Sequence, residues 1–495
     1  MPTSGSHNTS SQTSIRNQQC SSAPRQEYGS DSPFTAYAKK MRDEGIPAKV
    51  IELFTSYLSD VSELATGHIA EMHISPVKQS QLNHISELDK YEQAGEAIAK
   101  EAVAIKLNGG LGTSMGMQFA KSLLPVKDDL SFLDITVKQA VTWQEQYGGS
   151  LPLVLMNSYN THSDTLSELR HMNGLSQLPL CFIQHKFPKI RRDTLTPAEY
   201  PDNPEHEWNP PGHGDLYASL FLSGVLDTLI RQGRKYALVS NIDNLGATLD
   251  MRMLGYMAEK NIPFLMEVTE RTENDSKGGH LAKHNSGRLI LREVSQCPEC
   301  DLEYFQDIRK HSLFNTNNIW INLVELKNNL KKNGLPKLPL ILNSKTVNPH
   351  DASSTPVYQV ESAMGAAISH FTNAQAIITS RDRFIPVKRT DDLLKVMSDY
   401  YLLDHSGTLK LNEANITQNL QVNLDPRYYS KFDNIYEKFE KGIPSLASCS
   451  KLGITGDIVF NPSVSLLGDV TLDNRTGNIL FLPEDITLKG AINIK

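Results

Sequence analysis

Between Ala102 and Val126 the chain reads AVAIKLNGGLGTSMGMQFAKSLLPV, an apolar run that breaks into glycines and returns a lysine, Lys121, on the far side. The run has the character of a buried strand. Gly109, Gly110, Gly112 and Gly116 then fall within eight positions, more than an ordinary strand-to-helix turn requires. Glycine accepts φ > 0 and lets backbone approach a ligand closely, and successive N–H groups in such a loop cradle phosphate oxygens. A lysine just beyond sets a point charge against the same phosphates. Two familiar phosphate loops are excluded. A Walker A loop closes with Gly-Lys-Ser/Thr, but Gly116 is followed by Met117. The dinucleotide fingerprint G-x-G-x-x-G needs a third glycine where Met115 stands. The segment predicts a strand followed by a phosphate-binding turn of a third kind.

The surrounding sequence supplies an α/β setting for it. The spacing of Ile46, Val50, Ile51, Leu53, Phe54, Tyr57 and Leu58 predicts helix between Phe34 and Leu64, and alanine-rich Tyr91–Glu101 predicts another. Beyond the loop, helix signals at Ser131–Tyr147, Thr161–Met172, Asp215–Gln232 and Met251–Lys260 alternate with strand signals at Leu151–Met156, Leu180–Gln184, Lys235–Ser240 and Phe264–Thr269. Such alternation implies a mostly parallel sheet with helices on both faces and ligands at the carboxyl ends of its strands. Polar residues gather at those ends. Asn241, Asp243 and Asn244 follow one strand, Phe314–Asn318 precedes the apolar run Ile319–Leu323, and His213 with Gly214 leads into the helix predicted from Asp215, where N–H groups favour anions. Each cluster alone would pass for turn chemistry. Together with the glycine loop they describe a site.

After Phe439 helical periodicity gives way to short β runs punctuated by Gly456, Gly468, Gly477 and Gly490. That pattern predicts a parallel β-helix beginning near Lys451, with edge strands that make it a candidate homo-oligomer contact. Deleting it is expected to alter assembly before chemistry. A net charge of −7 argues against nucleic-acid binding and leaves anionic ligands to local lysines and backbone. No apolar run is long enough for a membrane span. Five scattered cysteines fit a reducing, cytoplasmic setting, and Cys297–Cys300 lacks both the second pair of a zinc site and a thioredoxin-like context. The Ser/Thr/Gln-rich first 32 residues predict a disordered tail without the amphipathic helix of a transit peptide.

A glycine-rich turn followed by a lysine is most similar to the signature of sugar-nucleotide pyrophosphorylases. NGGLGTSMG, PPGHGDLYAS, VSNIDNLGAT, FNTNN, VESAMGAAI and RFIPVKRTDDLL occur in that order between Asn108 and Leu394. They resemble the eukaryotic-type UTP–glucose-1-phosphate uridylyltransferase family over most of the chain. The resemblance implies an α/β fold with a Rossmann-like mixed sheet, a glycosyltransferase A-like nucleotidyltransferase core, and a C-terminal parallel β-helix. Composition and periodicity divide the chain into a tail (1–32), which resembles nothing in the family, an N-terminal helical segment (33–100), the catalytic domain (101–400), a linker region (401–450) and the β-helix (451–495). UTP and glucose 1-phosphate would be the substrates and magnesium the cofactor.

The roles carried over are residue by residue. Leu107, Asn108, Gly109 and Gly110 would hold the nucleotide, Gly109 and Gly110 also facing the sugar phosphate. Gln184 would read the uracil edge beside Gly212, since an amide presents both donor and acceptor. His213 would meet the sugar phosphate, Asn241, Ile242, Asn317 and Glu361 the sugar side, and Asp243 the magnesium and both substrates. Lys121 and Lys388 would contact phosphates and stabilise the charge that develops. Two segments depart from the family: MQFAKS stands where a glycine and proline usually precede the first lysine, and GGHLAKH where the family has a GGTL-like run. Relatives that use N-acetylhexosamine or a broad range of sugars usually carry arginine where this chain has Ser114, which favours glucose. A non-catalytic sugar-nucleotide binder would not need Lys121, Asp243 and Lys388 together.

Overall fold

The computed structural model describes residues 33–494, apart from 173, 174, 176 and 416–418. The predicted tail lies outside the described residues. Seven strands carry the central sheet: β1 (Ala102–Asn108), β2 (Leu153–Asn157), β3 (Leu180–Ile183), β4 (Tyr236–Asn241), β5 (Phe264–Glu270), β6 (Leu313–Asn322) and β7 (Gln375–Ile378). Their spatial order is β7-β5-β6-β4-β1-β2-β3, with the short strand Asn83–His84 beyond β7. Of these seven, only β6 runs against its neighbours; β4, β1, β2 and β3 are mutually parallel, as are β5 and β7. The fold is therefore mixed α/β.

β1 shows why the sheet is central. Val103 and Ile105 are buried in one apolar cluster and Ala102 in another, so the strand is covered on both faces. That is what a near-continuous apolar strand predicts. The helix Phe132–Tyr147 begins where Ser131 caps it, the Ser131 hydroxyl accepting from the Asp134 N–H at 3.1 Å. Two predicted helices prove divided. Phe34–Leu64 is split at Gly45 into Pro33–Asp43 and Ala48–Ser62. Asp215–Gln232 is split into Leu216–Leu222 and Val225–Arg231, because Gly224 adopts φ +77° and interrupts the hydrogen-bond ladder. A 3₁₀ turn, His213–Asp215, opens the first half.

The C-terminal strands β8 (Gln421–Leu424), β9 (Cys449–Thr455), β10 (Ser465–Asn474) and β11 (Thr487–Ile494) form one parallel ladder. Val422, Leu452 and Val470 stand in register, as do Leu424, Ile454, Leu472 and Ile492. The ladder starts at Gln421, ahead of the expected boundary near 451. The region expected as a linker also holds the helices Pro426–Tyr429 and Phe432–Phe439. Its apolar columns belong to the same buried cluster as Met115, Leu124, Val126, Leu393 and Leu394 of the preceding domain. The C-terminal ladder and the glycine-loop region thus share a core. Among the described residues no helix is long and apolar enough to cross a membrane.

Candidate active site

The cleft lies where β1, β4 and β3 end. Leu107, Gly109, Gly110, Lys121, Met156, Gln184, Pro210, Gly212, His213, Asn241, Ile242 and Asp243 enclose a space of about 300 Å³. Most of these walls were expected from sequence; Met156 and Pro210 were not. The parallel register explains the meeting. Asn241 at the end of β4 pairs with Leu107, and the Ile242 N–H donates to the Leu107 carbonyl at 3.1 Å. Ile242 itself is buried in the core and offers the site its backbone.

Within the loop, the Gly110 carbonyl accepts from the Lys121 N–H at 3.0 Å, which closes the turn and returns the lysine to the cleft. Gly112 needs its φ of +64°, and a side chain there would strike the Met117 sulfur. Gly110 differs. It is exposed, a Cβ there would meet nothing within 4 Å, and its φ lies outside the left-handed region. Folding alone does not require glycine at this position, whereas close approach of a phosphate would. A Cβ on Gly109 would lie 2.8 Å from the Gln184 amide nitrogen, so that glycine keeps the amide at the cleft wall. Asn108 turns inward: its amide donates to Asn157 at 2.8 Å and Thr165 at 2.9 Å, leaving it a scaffold for the loop.

The segment Pro210–Gly214 is zipped to Glu361–Ser362. Ser362 N–H donates to the Pro211 carbonyl and Gly214 N–H to that of Ser362, both at 2.9 Å. Gly212 sits at φ +74°, with the Ser362 carbonyl 2.6 Å from where a Cβ would stand. The backbone N–H of Met364 donates to His213 Nδ1 at 2.9 Å, which leaves Nε2–H as the donor of that ring. Burial lowers the His213 pKa to about 4, so the imidazole is neutral near pH 7. Glu361 is not a wall of the cleft. Burial raises its pKa, and its carboxyl bonds the Asn343 side chain.

The charged end is built around Asp243. Lys121 Nζ donates to Asp243 Oδ2 at 2.5 Å and also to the Val387 carbonyl, and the Val387 N–H returns to the Asp243 carbonyl at 3.3 Å. Lys388 follows directly, exposed and outside the cleft walls. Asp243 Oδ1 is buried without a hydrogen-bond partner. A desolvated, unpaired carboxylate oxygen is a costly arrangement that a cation would relieve. Among the described residues no group of three or more His, Cys, Asp or Glu gathers as a metal site. A single carboxylate suits magnesium, which keeps waters and shares substrate phosphates.

Asn317 arrives by a β-bulge. The register of β6 against β5 shifts between Asn318 and Asn315, and Asn317 takes φ +61°. Its Nδ2 donates to Asn241 Oδ1 at 3.0 Å, while its own Oδ1 is buried and unpaired. The two departing segments are also accounted for. Met117 and Ala120 are buried, and Phe119 meets Phe432 edge-on at 5.6 Å, so apolar packing replaces the expected glycine and proline. Gly278 lies against the Phe314 ring and Gly279 against the Glu293 carboxyl. Glu293 was not anticipated. Burial raises its pKa and the charge of Lys388 opposes that rise, placing a second carboxylate near the lysine. Its sequence, REVSQ, carries no motif.

Comparison with known proteins extends these observations. A family model described as UTP–glucose-1-phosphate uridylyltransferase matches residues 49–467. The UTP–glucose-1-phosphate uridylyltransferase of Saccharomyces cerevisiae is 37% identical over 89% of this chain and 87% of its own length. That of Hordeum vulgare is 38% identical over 80% of this chain and 82% of its own. Among solved structures, a mutant UDP-glucose pyrophosphorylase from Leishmania major in complex with UDP-glucose superposes with TM-score 0.87 at 39% identity, covering 93% of this chain and 99% of that one. The Trypanosoma brucei UDP-glucose phosphorylase gives TM-score 0.83 at 41% identity, covering 93% and 100%.

Proposed function

Because the chain belongs to the UTP–glucose-1-phosphate uridylyltransferase family, we propose that this cleft transfers uridylyl from UTP to glucose 1-phosphate, giving UDP-glucose and pyrophosphate. The observation that carries the reading is the joining of the glycine loop, Lys121 and Asp243 at the ends of β1 and β4, in a cleft walled by Gln184 and His213, with one oxygen of Asp243 on Lys121 and the other buried and unpaired.

The reaction needs two anions brought in line, an oxygen of the sugar phosphate attacking the α-phosphorus as pyrophosphate departs. Positioning and charge stabilisation supply the catalysis. Gln184 reads the uracil edge with its amide, next to Gly109 and Gly212. Gly110 lets backbone reach the phosphates. His213, neutral and protonated on Nε2, donates to a phosphate oxygen without adding a charge. Asn241 and Asn317, locked to each other, offer their remaining polar atoms to the sugar, with the Asn317 oxygen free to accept. Glu361 backs Gly212 from outside the cleft walls, its Cβ close to where a Gly212 side chain would stand. Asp243 would hold magnesium, which when bound would neutralise phosphate charge. Lys121 and Lys388 oppose the negative charge that grows on the bridging oxygens.

Beyond the cleft, we read the C-terminal ladder, with the second parallel pair Ile458–Val459 and Leu480–Phe481, as a parallel β-helix, and its surface at Ile479 and Phe481, both about half exposed, as a homo-oligomer contact. Cys181, Cys297, Cys300 and Cys449 are free thiols, which supports a cytoplasmic setting. Sugar choice is tested by comparing kcat/KM for glucose 1-phosphate and N-acetylglucosamine 1-phosphate with UTP. Preference for glucose 1-phosphate is expected; equal or reversed values would replace glucose with a broader substrate class.

A further inference from the structure

Behind the cleft, one side chain holds the lysine-bearing segment in place. Asn244 follows Asp243 directly but faces away from the cleft walls, buried to 2% exposure. Its Oδ1 accepts from the Ile385 N–H at 2.8 Å, and its Nδ2 donates to the Arg383 carbonyl at 3.1 Å and to Asn318 Oδ1 at 3.0 Å. An isolated antiparallel bridge joins Asn244 to Pro386. The segment Arg383–Val387, which ends against Lys388, is thereby laid along Asp243–Asn244.

The other end of the segment is anchored by charge. Arg383 forms a bidentate pair with Glu267 on β5, Nε at 2.9 Å and Nη2 at 2.8 Å, and Glu267 also accepts from Trp320 Nε1 at 2.8 Å and Asn318 Nδ2 at 3.2 Å. Asn318 Nδ2 bonds the Arg383 carbonyl as well, at 3.2 Å. Every group is buried and paired, the condition under which such a network fixes one geometry instead of weakening the fold. Asn318 is the next residue after Asn317. One network therefore spans the sugar-side bulge, the Asp243 segment and the lysine segment.

We infer that Asn244 is a positioning residue: its amide sets the register of Arg383–Val387 against Asp243 and so fixes where Lys388 meets the phosphates. It touches no substrate. The inference rests on the role proposed for Lys388, and a double-mutant cycle separates the two. Kinetics of the full-length wild type, Asn244→Ala, Lys388→Ala and the double variant would be measured with UTP and glucose 1-phosphate, together with thermal midpoints.

Asn244→Ala is expected to lower kcat about 10–30-fold with KM for UTP changed less than about threefold, since the base site is made elsewhere. In the Lys388→Ala background the same change should cost less than about threefold. Equal losses in both backgrounds, or no loss in the single variant, would overturn the inference. Unchanged turnover in Lys388→Ala would instead overturn the role of the lysine, and the inference with it. Asn244→Ser, which keeps a small acceptor for Ile385, answers the same question if the alanine variant does not fold. If neither folds, Asn244 is a folding residue and the inference fails.

Discussion

Lys121 and Asp243 face each other across 2.5 Å beneath the glycine loop, and the two lysines proposed to meet the phosphates are not equivalent. Lys121 is held by Asp243 and the Val387 carbonyl; Lys388 is exposed, and its backbone N–H donates to Asp392 at 3.0 Å. Lys388→Ala should therefore fold normally and lose roughly 10²–10³-fold in turnover, the scale of one electrostatic stabiliser. Equal wild-type and variant turnover at matched thermal midpoints would remove it from the catalytic residues.

His213 makes a separate prediction. Its folded pKa of about 4 lies below the ordinary histidine value of 6.5, so the unfolded chain binds more protons between those values. Its contribution to stability is complete above about pH 6.5 and is lost as pH falls towards 4. Replacement by Gln should flatten the stability profile across that window, and ¹⁵N spectra at pH 6 should show a neutral ring protonated on Nε2. A protonated His213 at pH 6 would contradict the geometry.

Residue types at this scale were largely legible. Gln184, His213 and Asp243 stand in recognisable local strings, and the chain folds those strings to one cleft. Asn244 was visible as one of a polar trio, yet nothing in its neighbours shows that it bonds a segment 140 positions away. Glu293 left no local signal because its environment is made by Gly279 and Lys388, both remote in sequence.

At the scale of elements, the two kinds of glycine separate. Gly110→Ala meets open space, so the thermal midpoint should hold while KM for UTP rises about tenfold or more. Gly212→Ala meets the Ser362 carbonyl at 2.6 Å from a left-handed backbone, and should destabilise by roughly 1–3 kcal/mol from the conformation alone. Calorimetry and UTP titration of both variants check this; a destabilised Gly110→Ala with normal KM would reverse the assignment. The alternation of strands and helices was legible because buried parallel strands are continuous apolar runs. The order of the strands was not, since antiparallel β6 inserts between β4 and β5 through pairing that no local pattern encodes. The bulge that aims Asn317 has the same origin. Gly224 broke a predicted helix because apolar spacing continues across it while the hydrogen bonds do not.

For the whole molecule, the C-terminal ladder and the catalytic sheet share one apolar cluster running from Met115 and Val126 through Tyr429 and Ile435 to Leu472. The region from Gln421 is thus part of what supports the lysine-bearing segments: Gly116 is covered by the Lys431 stem, and the Leu424 N–H donates to Asp391 just beyond Lys388 at 2.9 Å. Removing residues 451–494 would strip Leu452, Ile454, Val470 and Leu472 from that cluster and break the ladder at its second strand. The expectation that truncation alters assembly before chemistry is therefore revised. Truncated protein should be insoluble or unfolded by circular dichroism; a folded, active product would show that the shared core is dispensable. Composition could not reveal this, because a run of short strands looks the same whether it stands apart or packs on another domain.

In the reaction proposed above, one cleft joins a glycine-loop nucleotide site to a sugar-phosphate site and transfers uridylyl between them. Pyrophosphate release by the purified full-length protein, with UTP, glucose 1-phosphate and magnesium, tests it most directly. Release should require all three components, match UDP-glucose formed mole for mole, and fall sharply in Lys388→Ala. No release from folded wild-type protein, or release independent of the sugar phosphate, would contradict it.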